Sequence, residues 1–173
     1  MRNRVLSTIS VMFLFSASGL LADTIPGGNV SGTWYQSHSP YYIAGNITVS
    51  ASDTLTIEPG VEVIFLGCYS FGVSGLLDAV GTESDSIRIT ASTAWFGLSI
   101  ANAPDSSRLE YCVLEADHAF QGLVYCSSSN PVISHCRISN NTSYETSGGV
   151  TLVGSNARIS HCTIAGNTGT SGG

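Results

Sequence analysis

The sequence predicts an all-β chain wound as a parallel β-helix, with short strands forming rungs that stack along one axis. Three observations carry this reading. Cysteine-centred segments recur at a nearly fixed period, each following a glycine-led run. After Ala22, apolar and polar residues alternate in short runs, as half-buried strands require. No sustained helical stripe interrupts them.

The first element, residues 1–22, reads as a secretory signal peptide. Arg2 and Arg4 supply the positive start, the uncharged stretch Val5 to Leu21 is mostly apolar or small, and Ala22 is a small residue at the cleavage point. The strongly apolar run Val11 to Phe15 is too short to cross about 30 Å of hydrocarbon, so no membrane span is expected after cleavage. Loss of Arg2 and Arg4 would take the net charge from −6 to −8. A lysine-free, acidic chain is unsuited to nucleic acid, whose phosphates need a basic face. Export to the cell surface or the medium permits disulfides. The five cysteines, Cys68, Cys112, Cys126, Cys136 and Cys162, are odd in number and have no CxxC or zinc spacing.

The second half carries the repeat. Leu109 to Leu114, Ile133 to Ile138 and Ile159 to Ile164 align on Cys112, Cys136 and Cys162, which recur at a period of about 25 residues. Runs led by Gly97, Gly122 and Gly149 precede them at nearly the same interval. Asp117, Asn141 and Asn167 each follow their cysteine by five residues. A unit of about 25 residues cannot enclose a core alone, but stacked copies can, with equivalent strands about 4.8 Å apart. A β-sandwich would also show short alternating strands, but it does not account for this period. No six-residue period of the left-handed type occurs.

The first half follows the plan less regularly. Ile47 to Val49, Leu55 to Ile57, Val61 to Phe65, Phe71 to Val80 and Ile87 to Ile89 are strand-like, with Pro59-Gly60 at a turn. Residues 23–45, with Trp34-Tyr35 and Tyr41-Tyr42, are expected to form an N-terminal cap over the rod end. The coils then occupy residues 46–173. They are expected to be C-terminally truncated, because the chain stops at Gly173 where a next strand would begin.

The stretch from Tyr42 through Asn46-Ile-Thr-Val49, Leu55-Thr-Ile-Glu-Pro-Gly-Val61-Glu-Val-Ile-Phe65, Gly75-Leu-Leu77 and Ile87-Arg-Ile89 resembles the opening coils of secreted bacterial right-handed parallel β-helix proteins. The units Ile133-Ser-His-Cys-Arg-Ile-Ser-Asn140 and Ile159-Ser-His-Cys-Thr-Ile164 are similar to the β-helix repeats of the pectate-lyase superfamily and of NosD-like proteins. The resemblance covers roughly residues 40–167. It implies the fold more than an activity, because this fold hosts many functions. In such repeats the Cys136 and Cys162 position is often an inward corner asparagine. The resemblance therefore implies a buried ladder of thiols made of Cys112, Cys136 and Cys162. These are expected to pack as small hydrophobes rather than to bridge, because parallel Cβ vectors give poor disulfide geometry.

Lyases and hydrolases on this fold combine paired carboxylates with an Arg or Lys base or with calcium. Glu115 and Asp117 alternate on one stretch with His118 adjacent, which makes them the catalytic candidates, although no hydrolase motif supports them. His135 and His161, one rung apart with Tyr111 in their column, are the metal candidates, short of the three or four ligands zinc takes. Asp117, Asn141 and Asn167 form a polar turn column suited to backbone bonding, or less readily to calcium. No other cofactor is implied. The functional expectation is an exported, monomeric, non-catalytic scaffold, adhesin or glycan-binding module that meets polysaccharide at the cell surface. The alternatives are a polysaccharide lyase or glycoside hydrolase with its site in further C-terminal coils, and a metal-handling periplasmic protein.

Overall fold

The computed structural model describes residues 22–116, 119, 122–144 and 147–170. The chain is a parallel β-solenoid of about five turns. Three sheets run its length. The first contains β1 (Asp23–Ile25), β4 (Tyr41–Ile43), β7 (Glu62–Phe65), β10 (Ile87–Ala91), β13 (Cys112–Glu115), β16 (Arg137–Ser139) and β19 (Thr163–Ala165). The second contains β2 (Gly28–Asn29), β5 (Ile47–Val49), β8 (Ser70–Val73), β11 (Gly97–Ala101), β14 (Val124–Ser127) and β17 (Val150–Val153). The third contains β3 (Gly32–Trp34), β6 (Thr54–Ile57), β9 (Leu76–Val80), β12 (Arg108–Glu110), β15 (Val132–Ser134) and β18 (Arg158–Ser160). Every pairing is parallel and joins equivalent strands of neighbouring rungs.

Alternation places one face of each strand inside, and register turns those residues into columns. Tyr41, Val63, Ile89, Leu114, Ile138 and Ile164 form one, on the first sheet. Trp34, Ile57, Ala79, Leu109, Ile133 and Ile159 form another, on the third. Nearly all these residues are fully buried until the last rung. Each buried Leu, Ile or Val contributes about 1.5–3 kcal/mol, so the core is a rod with no single centre. The thiols of Cys112, Cys136 and Cys162 stand in successive rungs, since Val113 pairs with Arg137 and Arg137 with Thr163. All five cysteines are free.

Residues 23–45 form a rung on this same plan, with β1 to β3 each pairing to the equivalent strand of the next rung. Trp34 stacks on Tyr41 of that rung, with ring centroids 4.8 Å apart. The stretch Phe71 to Val80 divides into β8 and β9 at Ser74-Gly75. A Cβ at Gly75 would lie 2.1 Å from the Ser50 carbonyl oxygen, so only glycine lets the chain bend there. The glycine alignment needs one correction. Leu98 pairs with Val124 and Val124 with Val150, so Gly97 and Gly149 are equivalent while Gly122 stands one place earlier. Fully buried Leu123 fills the intervening position. No helix among the described residues is long and apolar enough to cross a membrane.

Candidate functional site

The corner between the third and first sheets is made the same way in the last three rungs. At this corner Tyr111, His135 or His161 follows the strand of the third sheet at a positive φ of 48°, 53° or 54°. A side chain in this left-handed region costs of order 1–3 kcal/mol. The turn aims the next residue, the cysteine, into the core. It leaves the ring outside, where the three rings stack. Tyr111 lies 4.6 Å from His135 and His135 4.8 Å from His161, at interplanar angles of 13° and 4°.

Behind the rings, each thiol donates to carbonyl oxygens at the corner. Cys136 Sγ lies 3.2 Å from the oxygens of both Leu109 and Ser134, and Cys162 Sγ lies 3.2 Å from that of Ser160. The column satisfies backbone groups rather than acting only as small hydrophobes. A hydrogen bond with Cys136, together with burial, holds the Cys112 thiol well above its ordinary pKa. Burial raises Cys162 as well, and Cys126, on the second sheet, reaches about 11. Thiols so held are poor nucleophiles.

A groove of about 540 Å³ runs beside the rings, with His135, Arg137, His161 and Thr163 among its lining residues and Glu83 and Ser86 on its wall. The wall exists because the fourth rung carries an insertion. Val80 pairs with Glu110 and Ile87 with Cys112, so residues 81–86 stand where the next rung has only Tyr111. That loop is tied down by Gly81 N–H to Glu110 O and Ile87 N–H to Tyr111 O. The groove offers a carboxylate, a guanidinium, hydroxyls and imidazole edges, a mixture of donors and acceptors.

Of the catalytic candidates, Asp117 and His118 lie outside the described residues. Glu115 belongs to an ion-pair ribbon on the outer face of the first sheet. Its Oε1 accepts from Arg137 Nη1 at 2.9 Å and from Ser139 Oγ at 2.9 Å, and its Oε2 lies 3.9 Å from Arg88. Arg88 in turn reaches Glu62 at 3.5 Å. His135 and His161 are brought together, but as parallel plates. One ion about 2.0–2.1 Å from a nitrogen of each would have to lie in both ring planes, which stacked rings do not share. Among the described residues no group of three or more His, Cys, Asp or Glu is placed to hold a metal ion.

The asparagine column is present at the opposite end of the first sheet. Buried Asn141 donates from Nδ2 to Ser139 O at 2.9 Å and accepts from the Ala116 N–H at 2.7 Å. Asn167 donates to Ile138 O at 2.9 Å. Their oxygens are occupied by backbone and amide N–H groups. Sequence reasoning missed the groove wall. Its signal was the extra length of Gly81 to Ser86 against the short corners downstream. Comparison with protein-family models, curated proteins and solved structures gives no match for this chain.

Proposed function

We propose that this chain is an exported, non-catalytic β-solenoid scaffold whose corner groove binds a glycan, and that it is related to the β-helix repeat proteins of the pectate-lyase and NosD-like kind. The carrying observation is the groove between the 81–86 loop and the Tyr111, His135 and His161 stack. Sugar hydroxyls donate and accept at once, and the groove's lining does the same. A rigid solenoid holds these groups at fixed spacing, which lowers the ordering cost of binding an extended polymer. The pairing of Glu115 with Arg137 and Ser139 supports a binding role over hydrolysis.

The test is binding of the purified chain to immobilised bacterial and plant polysaccharides, with product analysis in the same samples. The expected result is retention without release of shorter saccharides, weakened at least tenfold by Arg137→Ala or Glu83→Ala. Retention that both variants leave unchanged, or release of oligosaccharides, would remove the reading.

A further inference from the structure

We infer that the corner groove takes an uncharged polysaccharide and turns away polyanionic ones such as polyuronates. This inference rests on the glycan reading and names the chemical class of the glycan. An anionic sugar needs a cation with charge to spare. Three fixed cations, Arg88, Arg108 and Arg137, stand on the described strands before the last rung, and each already meets a carboxylate. Arg88 Nε lies 3.5 Å from Glu62, Arg108 Nη2 lies 2.7 Å from Asp78, and Arg137 Nη1 lies 2.9 Å from Glu115. Of the three, Arg137 lines the groove. Its partner is held in turn, because Ser139 Oγ donates to the same Glu115 oxygen at 2.9 Å. The charge of Arg137 is thereby offset. A guanidinium still carries more N–H groups than one carboxylate oxygen occupies, so it remains a hydrogen-bond donor.

The carboxylates on the groove wall are not balanced in this way. Among the described residues neither Glu83 nor Asp85, both in the 81–86 loop, stands in an ion pair. Ser84 Oγ donates to Asp85 Oδ2 at 2.7 Å, which solvates that charge without cancelling it. The backbone bonds of Gly81 and Ile87 fasten both ends of the loop to the next rung, so its charges stay beside the groove. The lysine-free chain, with its net charge of −6, adds a field of the same sign. A polyuronate carries a carboxylate on every sugar. At about 0.1 M salt the screening length is about 10 Å, so a sugar in the groove still feels the loop.

A neutral chain meets none of this repulsion. Its hydroxyls can donate to Glu83 and accept from Arg137 and Ser86, all of which line the groove. Hydrogen bonds to an ionised partner are stronger than those between neutral groups, so both charged side chains favour a hydroxyl. A carboxylate in the same place would gain only from Arg137, whose charge Glu115 already answers, and would be opposed by Glu83. The lining therefore selects hydroxyl over carboxylate. Every charge invoked stands in a rung before the last.

The test is titration calorimetry of the full chain with a soluble mannan, a soluble glucan and polygalacturonate. It is run at about pH 8, above the range in which imidazoles usually gain a proton. Ionic strengths of about 0.01 M and about 0.1 M are compared, between which the screening length falls from about 30 to about 10 Å. At least one neutral polymer is expected to bind about tenfold or more tightly than polygalacturonate, with an affinity that salt changes by less than about twofold. Glu83→Gln and Glu115→Gln each remove one negative charge and keep the side-chain shape. Both are expected to strengthen polygalacturonate binding about threefold or more at the lower ionic strength. Polygalacturonate bound as tightly as the neutral polymers, or unaffected by both variants, would overturn the inference and leave the glycan reading standing. Binding of no polymer by the chain or by either variant would remove both.

Discussion

Asn141 donates both its Nδ2 hydrogen and its backbone N–H to the Oδ1 of Asn167, one rung along, at 2.7 and 3.2 Å. One acceptor thereby closes two donors that no strand partner reaches. Because Asn141 repeats the geometry toward Ala116, each rung's corner is satisfied by the rung after it. Neighbouring rungs are therefore coupled by polar contacts as well as by apolar stacking.

Replacing Asn141 with alanine strands the Ala116 N–H and the Ser139 carbonyl in a buried corner. The expected loss is about 2–3 kcal/mol, the cost of unmet buried polar groups. Asn130→Ala, in the partly exposed column that accepts from Asn156 N–H, is expected to cost about 1 kcal/mol, because water replaces the lost bonds. Urea midpoints of the two variants compare the positions directly. Equal shifts would mean that the Asn141 column is not structural.

His135 sits at φ 53°, where Cβ crowds the backbone. Alanine and glycine both remove its stacking with Tyr111 and His161, but only glycine removes the crowding. His135→Gly is therefore expected to be more stable than His135→Ala by about 0.5–1 kcal/mol. At Arg137, in the extended strand β16, the order should reverse. Thermal melts of the four variants read the sign, and alanine ranking above glycine at both positions would refute the assigned turn.

The downstream rungs were legible because their corners have minimal length. Val113 pairs with Arg137 and Arg137 with Thr163, so the register repeats in nearly equal steps. The upstream rungs hid the same plan. Asp23 pairs with Tyr41 and Tyr41 with Val63, which are shorter steps, and residues 81–86 are inserted in the fourth rung. Variable corners erase a period without changing the strands. The cysteine column could be found because identical residues mark it. The ion pair of Glu115 with Arg137 could not, since two residues so far apart in sequence meet only once the register is known. Nor did composition show that Tyr111, His135 and His161 share a left-handed corner, because residues other than glycine adopt it uncommonly.

The buried thiols make alkaline stability a measurable consequence. Cys126 keeps its proton up to about 11, against an ordinary value of 9.0, because burial disfavours its thiolate. The folded state then binds this proton more tightly than the unfolded chain does. The associated stability is whole below about pH 9 and is lost as pH rises toward about 11. Urea midpoints are expected to hold from neutral pH to about 9 and to fall beyond it. Cys126→Val, which keeps an apolar side chain, should soften the fall. A midpoint that stays level to about pH 11 would show that the thiols do not titrate as argued.

The inward column of the first sheet offers one residue type in two environments. Ile138 is fully buried and Ile164, its equivalent one rung on, is 41% exposed. Ile138→Ala opens a cavity beneath Leu114 and is expected to cost about 2–5 kcal/mol. Ile164→Ala removes a side chain that is already 41% exposed, so about 1 kcal/mol or less is expected. Urea midpoints of the two variants compare the positions, and equal losses would mean that Ile164 is packed as Ile138 is.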